Sequence, residues 1–169
     1  MKVISFNINS IRARPHQVEA IVKKHQPDAI GLQETKVHDD DFPYEIPESL
    51  GYKAHIHGQK GHYGVAILTK EEPVSVNKGF ETDDYEAQKR FISVTLKKGR
   101  KKIHILNGYF PQGEERNHPI KFPYKVKFYQ DLMVHIKKNY DPKDHLIVMG
   151  DLNISPQDID MSLIHISEP

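Results

Sequence analysis

The sequence predicts an α+β domain, and three features carry that class. Short apolar runs of strand length recur along the chain, each closed by Gly, Pro, Asn or Asp. Two longer stretches space their apolar residues by three and four, as amphipathic helices do. With 169 residues and 37% hydrophobic content the chain is long enough for one core and short for two independent domains.

Taken in order, Lys2 to Ile8 alternates as a strand and ends in the polar, turn-prone Asn7, Asn9 and Ser10. Pro15 then opens a helix in which Val18, Ile21 and Val22 share a face, Lys23, Lys24 and His25 suit the C-terminal dipole, and Pro27 ends the element. Asp28 to Leu32 is a second, buried strand, followed at its tip by Gln33 and Glu34. This strand, helix, strand run fits either a parallel crossover or a helix packed on a mixed sheet. Val37 to Gly51 is a polar loop with room for a short helical turn, and its Asp39-Asp40-Asp41 triplet suits a solvated charge run better than a cation site.

Tyr52 to His57 alternates as a strand, and Val65 to Thr69 is another. Between them Gly58 to Gly64 is rich in glycine without the spacing of a phosphate-binding P-loop, so it either lets backbone approach a ligand or simply joins the strands. Val74 to Phe80 is a weaker strand after Pro73. Phe91 to Leu96 and Ile103 to Tyr109 flank Lys97-Lys98-Gly99-Arg100-Lys101-Lys102 and predict an antiparallel hairpin with a cationic turn. Lysine there serves mainly to keep a sheet edge in water. Pro123 to Tyr140 is an amphipathic helix, and Asp141-Pro142 stops it. The last strand, Leu146 to Met149, ends in Gly150-Asp151-Leu152-Asn153. Its two oxygen-bearing side chains lie at period 2 and point to one side, suited to orienting a water near Mg²⁺ and a phosphate or, alternatively, to an Asx turn before Ser155-Pro156.

Lys and Arg total 24 against 23 Asp and Glu, a net charge of +1, so any polyanion site must be local. The absence of Cys excludes disulfides and thiolate metal sites. No stretch reaches the roughly 20 apolar residues of a membrane helix, and the N-terminus lacks the marks of a secretory signal, which predicts a cytoplasmic protein.

The contexts Ser5-Phe6-Asn7-Ile8-Asn9, Gly31-Leu32-Gln33-Glu34-Thr35-Lys36, Asn107-Gly108-Tyr109-Phe110-Pro111 and Gly150-Asp151-Leu152-Asn153-Ile154-Ser155-Pro156 occur in that order. Together they resemble the exonuclease III family, of the endonuclease/exonuclease/phosphatase fold. Arg12-Ala13-Arg14-Pro15 and His57 to Ala66 add to the match, which runs from Met1 to about residue 160. The resemblance implies a four-layer α/β-sandwich and Mg²⁺-dependent phosphodiester hydrolysis in duplex DNA at abasic sites and 3′ ends, with Mn²⁺ as the alternative metal. It implies Glu34 as the principal metal carboxylate, Asn7 lining or supporting the metal site, and Asp151, itself counted with the metal residues, orienting or deprotonating the attacking water. Asn153 would hold Asp151 or the phosphate, close enough to the metal to count among its neighbours, and Tyr109 would donate toward the scissile phosphate. Arg90 and Gln112 match positions that touch DNA, and Lys121 adds a phosphate contact. Taken singly, Asn7 equally suits a strand-end cap, Arg90 an ion-pair partner of Glu86, and Gln112 a turn residue. His16, His25 and His62 are scattered single residues that suit packing or surface roles better than metal ligation.

The chain also departs from the family. Members continue through a second half with a late Ser-Asp-His segment, and no Asp-His pair follows Asp151 here. Ser162 to Pro169 equals the translation of a transposon-end sequencing adapter, TCT CTT ATA CAC ATC TCC GAG CCC. Residues 1–160 are therefore expected to be the N-terminal part of one domain, truncated after the first half, and 161–169 a non-native tail. Two consequences are expected: an inner sheet face without its partner, prone to aggregation, and an inactive chain whose full-length parent is a monomer. Competing readings are a catalytically silent fragment or DNA-binding module, and a phosphoesterase of the same fold acting on inositol phosphates or lipids; the contexts of Gln112 and Lys121 favour DNA over the latter.

Overall fold

Two four-stranded sheets face each other in the computed structural model, which describes residues 1–154. The expected tail, 161–169, and the Ser155-Pro156 end of the last motif lie outside these residues. The first sheet has the order β1 (Val3–Asn7), β2 (Ala29–Gln33), β4 (Val65–Thr69), β3 (Lys53–His57). The second runs in chain order through β5 (Ser75–Lys78), β6 (Phe91–Lys98), β7 (Lys101–Tyr109) and β8 (His145–Asp151).

Both sheets are mixed, and local sequence explains why. Between β1 and β2 the chain runs through α1 (Pro15–His25), long enough to carry it back and pair the strands in parallel. β2 then pairs antiparallel with β4, and β4 with β3, so the crossover and the mixed sheet foreseen as alternatives are both present. Val18 and Val22 are the buried face of α1; Gln26 ends it in a left-handed conformation, its N–H bonded to the Val22 carbonyl, before Pro27 forbids another turn. The loop after β2 contains a 3-10 turn at Asp39–Asp41 and the short α2 (Glu45–Ser49). Asp39 does not belong to a merely solvated run: its carboxylate accepts from the Gly58 N–H at 2.5 Å and from Lys78 at 2.6 Å, tying this loop to the end of β3 and to β5.

The hairpin is tighter than its sequence suggested. Lys97 pairs with Lys102 and Lys98 with Lys101, leaving Gly99-Arg100 as a two-residue turn with Gly99 at φ +62°. Such a turn matches strand twist, so the lysines extend the ladder instead of forming a loop. The second long helix, α3 (Lys121–Asn139), begins two residues earlier than its apolar pattern marked and leads into β8, which pairs with β7 in parallel.

Three cores separate four layers. Val18 and Val22 of α1 pack on Ile30, Leu32, Ala66 and Leu68 of the first sheet. Ala29, Val65 and Ile67 meet Ile92, Val94, Leu96 and Ile105 between the sheets. Phe80, Phe91, Leu106 and Phe110 pack on Phe128 and Leu132 of α3. A fully buried Ile or Leu contributes about 1.5–3 kcal/mol, so each interface is substantial. The expected uncovered inner face is therefore corrected: residues 1–154 contain both sheets and close them on each other. β1 and β8 are the edge strands along one side, where Val148 remains exposed.

Alternation and register stack the face between the sheets in levels. Val3 lies beside Ala29 and Ile105 beside Ile147; above them come Ser5 beside Gly31 and Asn107 beside Met149; above those, Asn7 beside Gln33 and Tyr109 beside Asp151. Apolar residues thus give way to polar ones toward the C-terminal ends of β1, β2, β7 and β8. Gly150, at φ +147°, has no room for a side chain, because a Cβ would collide with the Gly108 carbonyl; this glycine lets β8 lie against β7 just below Asp151.

His57, at the end of β3, sets a pH limit on the fold. Burial holds its imidazole down to about 4, Lys89 and Lys78 also disfavouring the proton and Asp39 favouring it. With the folded value below the ordinary value of 6.5, the unfolded chain takes up the proton first, and stability falls as pH drops from about 6.5 to about 4. His57→Gln is expected to remove about 2 kcal/mol of this acid-dependent loss, after allowance for screening by solvent. Urea unfolding at pH 7 and pH 4.5 checks it, and an unchanged difference between the two would refute the assignment.

Candidate active site

The polar level at the strand ends brings four sequence-predicted residues together. The Asn7 amide nitrogen donates to Glu34 Oε1 and to Asp151 Oδ2, both at 2.9 Å, so one side chain joins the carboxylates of the two sheets. Its own oxygen accepts from the Asn9 N–H at 3.0 Å, which fixes the amide's orientation. The Tyr109 hydroxyl lies near enough to Glu34 to favour its charged form. Lys36, close by in sequence, reaches Glu34 Oε2 at 2.9 Å and Asn9 Oδ1 at 2.6 Å.

Backbone strain collects here. Asn9, Ser10, Glu34, Lys36, Glu114 and Asn153 all have positive φ. Non-glycine residues adopt that conformation at a cost that the surrounding structure must offset, and such residues gather at functional sites. At Glu34, φ +54° immediately after β2 turns the carboxylate out of the ladder's alternation.

Electrostatics set Glu34 and Tyr109 apart. Burial alone would raise the Glu34 carboxyl, but hydrogen bonds from Asn7, Lys36 and Tyr109, with the charge of Lys36, hold it below the usual carboxylate range. Tyr109 is pushed up to about 12, by burial first and then by its hydrogen bond to Glu34 and the negative charge there, Arg90 opposing. At neutral pH the pair is a carboxylate and a neutral phenol, a fixed acceptor and a fixed donor.

The remaining predicted residues fall into two groups. Asn153 braces: its N–H donates to Asp151 Oδ1 at 3.2 Å and its amide nitrogen to the Phe110 carbonyl at 2.7 Å. From α3, Lys125 bonds the Asn153 carbonyl and Tyr129 the Leu152 carbonyl, pinning the segment after β8. Arg90, Gln112 and Lys121 line a neighbouring cavity of about 580 Å³ together with Glu34 and Tyr109. Arg90 makes no ion pair with Glu86; only 8% exposed, it lies between the Tyr63 and Tyr109 rings at 4.4 and 4.6 Å. It donates to Gln88 at 2.6 Å and to the Tyr109 carbonyl at 3.0 Å. Gln112 is exposed, and Lys121 is paired with Glu114.

Sequence reasoning passed over Lys36, Tyr63 and Gln88. Lys36 stood inside the Glu34 motif, and Tyr63 was the aromatic residue in a glycine-rich turn. Gln88 had no local signal. The carboxylates of Glu34 and Asp151 are hard oxygen donors at the strand ends of facing sheets, and no group of three or more His, Asp or Glu able to hold a metal occurs among the described residues. Two carboxylates with supporting amides suit a small divalent cation that keeps several of its waters.

The model of the endonuclease/exonuclease/phosphatase family matches residues 4–167. The chain is 57% identical over 163 residues to exodeoxyribonuclease III of Haemophilus influenzae, the match covering 96% of this chain and 61% of that protein. An AP endonuclease from Archaeoglobus fulgidus superposes with a TM-score of 0.85 at 33% identity, over 96% of this chain and 61% of that one. A 3′ phosphatase from Neisseria, bound to a product DNA hairpin, superposes with a TM-score of 0.83 at 30% identity, over 95% of this chain and 60% of that one. The chain thus spans about 61% of the length of the Haemophilus influenzae relative. No helix among the described residues is long and apolar enough to cross a membrane.

Proposed function

The chain belongs to the endonuclease/exonuclease/phosphatase family, and from that premise we propose that it carries the N-terminal part of the site of a Mg²⁺-dependent phosphodiester hydrolase acting on duplex DNA, at abasic sites and 3′ ends. The observation that carries this reading is the Asn7 amide bonded at 2.9 Å to a carboxylate from each sheet. The family relatives named for abasic-site cleavage, exonuclease action and a DNA hairpin product support the choice of substrate.

Mg²⁺, or Mn²⁺ in its place, would be held by Glu34 with Asp151 beside it, and would offset charge on the phosphate and on the leaving oxygen. Asn7 holds the two carboxylates at their spacing. Asp151, its Oδ1 fixed by the Asn153 N–H, accepts the proton of the attacking water, and Tyr109, neutral at physiological pH, donates to a non-bridging phosphate oxygen. Arg90, Gln112 and, once released from Glu114, Lys121 take the flanking phosphates along the cavity.

Cleavage of a duplex containing one abasic site tests this, with the chain alone and with the chain continued to the length of its relatives, each in Mg²⁺ and in chelator. Strand scission that needs the metal is the expected result for the longer protein. Scission of a lipid or inositol phosphate with intact DNA would favour a phosphoesterase instead, and metal-independent DNA binding without scission would favour a binding module.

A further inference from the structure

Beneath the site, the apolar face between the sheets contains two polar side chains that the proposed chemistry does not use. Gln33 is 1% exposed and Asn107 0%. Alternation places both on the face shared with Ala29 and Ile105, where an apolar residue would satisfy packing. Instead the Gln33 amide nitrogen donates to Asn107 Oδ1 at 2.6 Å, and the Asn107 amide nitrogen donates to the Leu32 carbonyl at 2.9 Å and the Ala66 carbonyl at 3.0 Å. One side chain of β7 thus makes three buried bonds to β2 and β4. Gly31 completes the contact, since a Cβ there would stand 2.8 Å from Asn107 Oδ1.

The position of these bonds matters more than their number. Gln33 immediately precedes Glu34, and Asn107 lies two residues before Tyr109 on the same face of β7. Apolar contacts between sheets resist separation but set register only through packing shape, because dispersion and burial lack direction. Hydrogen bonds of fixed length and angle do not slide. We propose that Gln33 and Asn107 form a positioning clasp that sets the spacing and register of the Asn7–Glu34 strand ends against the Tyr109–Asp151 strand ends. The inference rests on the site described above; it assigns these residues no contact with substrate or metal.

The test separates positioning from stability. Removing both members of a buried polar pair in favour of apolar residues of similar shape is nearly neutral for folding, whereas removing one leaves the other without its partner. Gln33→Met with Asn107→Leu removes the pair together and is therefore expected to melt above either single variant, though below the unaltered chain, because the Leu32 and Ala66 carbonyls lose the Asn107 amide. The Asn7 side-chain amide resonance, identified by its loss in Asn7→Ser, is expected to move in a ¹H–¹⁵N spectrum of the double variant. It is expected to stay in place in Ile105→Val, which loosens the same interface without touching the clasp. In protein that cleaves DNA, turnover falls about 10- to 100-fold with KM within about twofold, as small misplacements of reacting groups do. An unmoved Asn7 resonance in the double variant overturns the proposal. Should that variant not fold, Gln33→Asn, which keeps the amide one methylene short, decides by the same resonance. Absence of cleavage by every form bears on the nuclease reading alone and leaves the spectroscopic result standing.

Discussion

Glu34→Gln is expected to lower Mg²⁺-dependent scission of an abasic duplex by about 10³-fold or more, the scale on which loss of a preorganised charge at a phosphoryl site is felt. The amide oxygen still accepts from Asn7, so that bond survives; the negative charge, and the second oxygen that Lys36 reaches, do not. Lys36, 2.9 Å from Glu34 Oε2, then faces the metal position without its counter-charge, which adds repulsion to the lost ligand. Because its hydrogen bonds outweigh burial and keep the Glu34 carboxyl below the ordinary range, the unaltered site remains ionised through neutral pH. Its contribution to stability is present above the unfolded carboxylate value and is lost as pH falls through the lowered one. Mn²⁺ titration followed by electron paramagnetic resonance checks the ligand role directly. A variant that binds the metal as tightly as the unaltered protein and retains more than a tenth of its activity would remove Glu34 from the site.

Asp151→Asn is expected to reduce turnover by about 10³-fold with little change in KM, as loss of a general base does. The new amide has one oxygen for two donors, the Asn153 N–H at 3.2 Å from Oδ1 and the Asn7 amide at 2.9 Å from Oδ2, so the variant keeps one of these bonds and loses the other. The capacity to take a proton is lost together with that bond, so Asn7→Ser, which removes the bond and leaves the carboxylate, is the control that separates the two effects. If KM rises in proportion while turnover is unchanged, Asp151 serves to bind the phosphate or the metal and the base must be sought elsewhere.

Much of this site was legible at the level of residues. Asn7, Glu34, Tyr109, Asp151 and Asn153 each follow an apolar strand, and polar groups at the ends of buried strands need a chemical reason. What could not be read was their meeting. Asn7 and Asp151 are joined across 144 positions of sequence, and nothing in the neighbourhood of either says that β1 and β8 lie on the same side of two stacked sheets. Arg90 illustrates the same limit. A lone arginine after Gln88-Lys89 looks exposed and free to pair, yet it lies nearly buried between two tyrosines that are far apart in sequence. The expectation of an uncovered sheet failed for a related reason: the number of strands was read correctly, but their division into two facing layers depends on long-range pairing.

Local periodicity, turn chemistry and motif order were enough to establish the α+β class, the strands and helices, and the family. Long-range pairing was needed to make β1 and β2 parallel while β2 and β4 run antiparallel, to show Glu34 in a left-handed backbone, and to bring Gln33 and Asn107 together as a clasp beneath the site. Burial patterns tell which face of a strand points inward. They carry no information about which other strand supplies the partner, since hydrophobic contact is non-directional and hydrogen bonds acquire their direction only when two distant segments have met.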